Sequence, residues 1–305
     1  MIELVCTDRF VKQFEKLHDL KVHKIPLEYA NGRRVLVLMC KCRGVWIALP
    51  HCSEAYVQTD LTNYKETPPF SFVQTQDGNL LCTKNINWEI RDRMAFSSNV
   101  YADKLNFLIK LESDLMSVYS SNVRRKIRKA QSLGVEIRTK GKHLIRDFYK
   151  VYSKRMFELG SPFCSKEYIK KGVKLQTHKI FVAYFENKPI GAATLIKRDE
   201  ESFENALFAT QRESNYLYTS YLLHYEMMRF SLQENAKYYY LGRSTRMTSV
   251  HQYKKHFKPE EIPLYWSTSR KTKNIRDNKM LKKLWRLLPF GLSKAIGSFF
   301  YKRIY

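Results

Sequence analysis

The 305-residue sequence predicts an α/β protein of the α+β kind, and three observations carry that prediction. Short β-branched and aromatic runs bounded by turn residues dominate residues 1–120. From residue 121 onward, apolar stripes at helical spacing alternate with strand-like runs. Apolar residues make up 44% of the chain, which is enough to bury a core and excludes disorder for most of it. The length suits roughly two domains of ordinary size. Eleven glycines are too few for a collagen-like or low-complexity chain.

The elements follow in order. Asn31-Gly32 is a turn, and Arg33–Cys40 after it is a β-branched strand. Gly44–Pro50 returns, so the two form a hairpin. Thr67-Pro68-Pro69 breaks the chain. Asn85–Arg91 and Leu105–Leu111 read as two further strands. At 121–134 the period changes. Ser121 or Asn122 can cap a helix in which Val123, Ile127 and Ala130 form one stripe, and Gly134 stops it. A short strand (135–138) precedes a helix carrying Leu144, Phe148, Val151, Tyr152, Arg155 and Leu159 on one side. Ser165 caps the next helix, to about Gln176. Strands at 179–185, 189–196 and 203–210 lead to a helix over 216–233. A strand at 237–241 ends in Gly242-Arg243-Ser244-Thr245. A basic helix near 249–258 and a strand near 264–266 follow. Three parts result: a strand-rich part over 1–120, a mixed part over 121–270, and a basic, amphipathic helical tail over 271–305 broken at Pro289.

The formal net charge is +25, and it is not spread evenly. Residues 121–160 hold 12 Lys and Arg against 3 Asp and Glu. Residues 241–305 hold 16 against 3. A charge needed only for solubility would not concentrate in this way, so an anionic, phosphate-bearing partner is expected. The six cysteines show no disulfide framework, and a chain of this size does not need one. There is no secretory signal at Met1–Arg9 and no apolar stretch of about 18 residues. A cytoplasmic protein is expected.

The sharpest cluster is Arg124-Arg125-Lys126 with Arg128-Lys129. Five cations in six positions repel one another, and a bound anion would relieve that. The alternative is a solvated amphipathic helix. Gly242 lets a backbone approach a ligand closely, Ser244 and Thr245 offer hydroxyls, and Arg243 offers charge. Lys254 and Lys255 lie downstream and could face the same pocket. Cys40 and Cys42 share one strand face, but with His51, Cys52 and Cys82 they lack a zinc spacing, so no metal is expected. No phosphate loop, dinucleotide fingerprint or nucleophile elbow is present. The tail mixes aromatics with cations, a composition suited to peripheral contact with an anionic membrane, at its cytoplasmic face. The alternative is a helix packed back on the domain.

These pieces occur in a familiar order: Val123–Ala130 closing at Leu133–Ile137, Arg155–Pro162, the hairpin around Asn187–Ala193, Leu241–Thr245, and Tyr253–Phe257. Over roughly residues 100–270 the chain resembles the FemAB-like branch of the GNAT acyltransferase superfamily, in its polysaccharide-locus form. The resemblance implies two GNAT-like halves, each a mixed twisted sheet flanked by helices, with residues 1–120 as the degenerate half. It implies an N-acyltransferase that moves an acyl or aminoacyl group to an amine in cell-envelope or polysaccharide biosynthesis. An aminoacyl-tRNA-dependent peptidyl transferase acting on a lipid-linked precursor is the second reading. The donor is acyl-CoA, an acyl carrier or aminoacyl-tRNA, so tRNA is a candidate partner. Arg124, Arg125 and Lys129 match the positions that hold acceptor phosphates. With Gly242, Thr245, Lys254 and Lys255 they form the candidate substrate-binding set; Arg243 and Ser244 are the candidates for catalysis.

Two departures bear on this. The glycine-rich run that precedes the pyrophosphate-binding helix in many acyl-CoA enzymes is missing, because Gln211-Arg212-Glu213-Ser214-Asn215 has no glycine. There is also no coiled-coil arm between the halves. A non-catalytic nucleic-acid or membrane binder is the third reading, although the 121–134 helix carries no aromatic for base stacking.

Overall fold

The computed structural model describes residues 6–59, 68–270 and 279–301. Residues 1–5, Thr67 of the proline break, and 271–278 and 302–305 of the tail lie outside the described residues.

The first part of the chain forms α1 (Asp8–His18), β1 (Val22–Glu28), β2 (Arg34–Cys42), β3 (Val45–Ala48), β4 (Val57–Gln58), β5 (Phe72–Gln74), β6 (Leu80–Cys82), β7 (Asn87–Asp92) and β8 (Val100–Lys110). There follow α2 (Leu115–Val118), α3 (Ser121–Ser132), β9 (Glu136–Arg138), α4 (Leu144–Glu158), α5 (Lys166–Lys174), β10 (Lys179–Phe185), β11 (Lys188–Lys197) and β12 (Ser202–Thr210). The last elements are α6 (Thr219–Gln233), β13 (Tyr238–Tyr240), β14 (Ser244–Thr245), α7 (Ser249–Lys255), β15 (Glu260–Thr268), α8 (Lys279–Leu287) and α9 (Phe290–Tyr301).

The strands join in one twisted sheet in the order β6-β5-β1-β2-β3-β7-β15-β8-β13-β12-β11-β10-β9. Pairing is mixed on both sides of the join: β1–β5, β3–β7 and β12–β13 are parallel. The join is made by β15, which lies antiparallel between β7 and β8. A strand from the end of the chain is therefore inserted between two strands of the first 120 residues, and the sheet continues into the later strands through β8 and β13.

Both faces of the sheet are covered, and alternation along single strands shows it. In β10, Phe181 and Ala183 face a core shared with α3 and α6, whereas Ile180, Val182 and Tyr184 face a core shared with α4 and α5. In β2, Val35, Val37 and Met39 face one core, and Leu38, Cys40 and Cys42 face another that includes Phe14 of α1. Strands buried on both faces read as unbroken apolar runs, which is why β2, β10 and β11 are plain in the sequence.

Helix ends depart from expectation in small ways. The cap of α3 is Ser120, not Ser121 or Asn122: its hydroxyl accepts from the Val123 amide at 3.4 Å, and Ser121 is already helical. Gly134 does stop the helix, at φ +84°. Residues 212–217 form a 3-10 turn, so α6 begins at Thr219 rather than 216. The tail packs back onto the body, with Trp285 buried in the α4 core.

Candidate functional site

The site begins where two parallel strands part. β12 and β13 pair only from Ser202↔Tyr238 to Glu204↔Tyr240. Beyond that, β12 runs on to Thr210 beside β11, while the chain after β13 stays with β8 through Ser244↔Leu105 and Thr245↔Lys104. Among the described residues, the edge of β12 from Asn205 onward has no strand partner on the cleft side. The cleft opens into a cavity of about 1740 Å³, walled by Asn205–Thr210, Leu241–Thr245, Lys254, the His51–Ser53 segment, and residues of α1, α4, α8 and α9.

Gly242 sets the width of the cleft. Its φ is +79°, and a Cβ there would sit 2.7 Å from the carbonyl oxygen of Asn205. Only glycine fits both the backbone conformation and the approach. Lys254, on α7, fixes the same loop. Its Nζ donates to the carbonyl oxygens of Gly242 (2.7 Å) and Arg243 (2.9 Å). Burial pulls the Lys254 ammonium down to about 7, with Glu204 opposing the shift and Arg243 adding to it.

Arg243 lines the cavity, and its buried Nη1 has no hydrogen-bond partner among the described residues. Its guanidinium carbon lies 5.6 Å from the Trp266 ring centroid, on a ring that Arg91 stacks at 4.3 Å. Burial and the neighbouring Arg91 lower Arg243 to about 10, against the opposing pull of Glu204. Ser244 is buried, with its hydroxyl 3.4 Å from that of Thr248. Thr245 accepts from Lys104 Nζ at 2.8 Å.

Beneath the cavity lies a buried charge network. Arg198, at the end of β11, pairs with Glu54 (3.2 Å) and Glu204 (3.5 Å) and stacks on Tyr240 at 3.8 Å. Glu54 also accepts from Arg93 at 2.7 Å and Asn106 at 3.3 Å. The Ser53 hydroxyl donates to Glu204. Burial pushes the Glu54 carboxyl up, but Arg198 and Arg93 more than offset it and hold it below the usual glutamate range. Nearby, His224 is buried against Phe208 at 4.5 Å, with Nδ1 2.8 Å from the Tyr239 hydroxyl. Burial, aided by Lys254, lowers it to about 3, so it is neutral near pH 7.

Against this geometry stand the solved structures that the chain resembles. FemX superposes with a TM-score of 0.57 at 9% identity over 90% of this chain and 93% of FemX. L-PGS from Bacillus licheniformis gives 0.52 at 9%, covering 91% of both chains. The C-terminal domain (DUF2156) of a protein described as a lysylphosphatidylglycerol synthetase from Agrobacterium fabrum gives 0.52 at 11%, covering 83% of this chain and 84% of that one. The fold is GNAT-like. At these identities the likeness concerns fold alone. No family model matches the sequence, and no curated protein does.

Within this GNAT-like frame the candidate residues divide between two places. Gly242, Arg243, Ser244, Thr245 and Lys254 all line the cavity. Lys255 does not; it pairs with Glu261 at 3.7 Å. Arg124, Arg125 and Lys129 line a separate depression of about 420 Å³ on α3, with Ser121, Arg128 and Ser132. None of these touches the cavity. Arg124 is partly committed to structure, since its Nη1 donates to the carbonyls of Tyr119 (2.9 Å) and Met116 (3.3 Å). Among the described residues no group of three His, Cys, Asp or Glu is placed to hold a metal. Sequence reasoning missed Glu54, Arg91, Arg93, Arg198 and Glu204. The available signal was Glu204-Asn205 within an otherwise apolar strand, where an acid needs a buried partner.

Proposed function

We propose that the chain is an N-acyltransferase that moves an acyl or aminoacyl group to an amine acceptor in cell-envelope or polysaccharide biosynthesis. The observation that carries this reading is the cleft between the parted strands β12 and β13, with the partnerless Nη1 of Arg243 at its wall. The FemX and L-PGS structures support the transferase class through their fold. The acceptor nitrogen attacks the donor carbonyl, a C–N bond forms, and the bond to the leaving oxygen or sulfur breaks. The leaving atom takes the proton. This needs alignment and a donor to the developing oxyanion rather than an enzyme nucleophile. Arg243 and Ser244 are the side chains for that carbonyl or for an adjacent anionic group. Gly242 and Thr245 shape the wall, and Lys254 holds the loop as a positioning residue.

The turn after β12 lacks the usual features of a pyrophosphate cradle. It has no glycine, and the amides of Ser214 and Tyr218 are bonded within the turn to Gln211 and Asn215. We therefore place aminoacyl-tRNA or a carrier-borne acyl group ahead of acyl-CoA as donor. The α3 cations, outside the cavity, suit the phosphates of such a polymeric donor. Lys255, tied to Glu261, drops from the substrate-binding set.

The test is transfer of labelled acyl groups from aminoacyl-tRNA, acyl carrier and acyl-CoA to amino-sugar acceptors. Transfer that fails in Arg243→Ala supports the reading. No transfer from any donor by the wild-type chain sinks it. Equal transfer from acyl-CoA after Arg128→Glu/Lys129→Glu, with lost transfer from aminoacyl-tRNA, assigns the α3 face to the RNA.

A further inference from the structure

The two tail helices carry more apolar surface than they bury. On α8, Trp285 is buried against the body, and Leu288, just after the helix, is partly buried there; Leu281 lines the cavity but is still 44% exposed. Met280, Leu284 and Leu287 fall at spacings of four and three on the adjoining edge of the same helix. They stay exposed, Leu287 at 73%. Lys282, Lys283 and Arg286 occupy the rest of the circumference. On α9, Ser293 and Gly297 are buried one turn apart, and Gly297 lies against the backbone of Phe163. The opposite side shows Leu292, Ala295 and Phe299 to solvent, with Lys294 beside them. A helix that only served the core would bury its apolar arc and leave cations outside. Here most of the apolar arc of α8, and Leu292 and Phe299 of α9, are left out.

Charge says what the exposed edge fits. Residues 279–301 contain Lys279, Lys282, Lys283, Arg286 and Lys294 and no Asp or Glu. Exposed leucine and phenylalanine flanked by cations alone match the boundary of an anionic bilayer, where apolar side chains enter the acyl region and cations meet headgroup phosphates. A partner protein or a second copy would not demand a pair of helices free of acids. We propose that the α8–α9 hairpin docks this protein on an anionic bilayer surface. Leu281, Leu284 and Phe300 also line the large cavity, so the docked face and the cavity share a rim. The docking does not depend on the reaction class.

Co-sedimentation of the full chain with vesicles decides the matter, using phosphatidylcholine alone and phosphatidylcholine with phosphatidylglycerol at about 0.15 M salt. Binding is expected to the mixed vesicles only. Leu287→Ser/Leu292→Ser and Lys283→Glu/Arg286→Glu should each weaken it about tenfold or more. These four side chains are exposed, and unchanged thermal melting would show that both variants fold. Arg128→Glu/Lys129→Glu, on α3, should bind as the wild type does. The proposal is overturned if the wild type stays in the supernatant, if both tail variants bind normally, or if only the α3 variant loses binding. It is also overturned if sedimentation velocity shows a dimer that Leu287→Ser/Leu292→Ser splits.

Discussion

Arg198 at the end of β11 lies 3.2 Å from Glu54, a residue more than 140 positions earlier in the chain, and both are almost wholly buried. This pair, with Glu204 and Arg93, fastens the loop before β4 to the floor of the cavity. A buried pair contributes little net stability as a pair, but breaking it strands a charge. Arg198→Met should therefore cost about 3–5 kcal/mol, read as a lower urea midpoint. In a double-mutant cycle with Glu54→Gln the two losses should be strongly non-additive, and additive losses would contradict the network.

Arg243 should behave oppositely. Its Nη1 has no hydrogen-bond partner among the described residues, so Arg243→Ala should change stability by less than about 1 kcal/mol. If it meets an anionic group or oxyanion, the same change should lower kcat/KM about tenfold to a hundredfold, the worth of one charge-assisted hydrogen bond. Arg243→Lys should recover only part of that, because the planar fork is lost. A large fall in melting temperature with unchanged specific activity would assign Arg243 to the scaffold.

Gly242→Ala tests the width of the cleft. The left-handed backbone costs a non-glycine residue about 1–2 kcal/mol, and the new methyl would sit 2.7 Å from the Asn205 carbonyl. The strain can be relieved only by moving β12 away from the loop. Stability and transfer should fall together. A variant with wild-type melting and rate would show that the approach is not needed.

His224 sets a pH dependence. Its folded value of about 3 lies below its ordinary 6.5. Between those values the unfolded chain binds a proton that the folded chain does not, so stability falls as the pH drops through this window. His178, lowered to about 4 by burial, acts the same way over a narrower range. In urea titrations between pH 6 and 4.5, His224→Leu should reduce the slope of stability against pH by about 1.4 kcal/mol per unit. An unchanged slope would show that His224 is protonated in the native state.

The sequence by itself determined the elements whose cause is local. Val123, Ile127 and Ala130 repeat at helical spacing and are buried as that spacing requires. The doubly buried strands β2, β10 and β11 are nearly continuous apolar runs. Ser165 and Gly134 mark helix ends through their own hydrogen bonding and backbone freedom. Sequence reasoning missed α1, although Phe10, Phe14 and Leu17 recur at helical spacing behind the Thr7 cap; local pattern was silent on β1, whose face is only partly apolar, and on the length of β15.

Only the tertiary structure decided which residues share a place. The cations of α3 and those of the 242–254 segment fall in one candidate substrate-binding set in sequence, but they lie in separate depressions. Glu54 and Arg198 look like ordinary surface charges, yet they are buried with Glu204 because the partners come together from segments far apart in the chain. Charge has no periodicity that reveals its partner. The pairing across the parted strands comes from the sheet order, and that order is set by contacts between residues far apart in the chain.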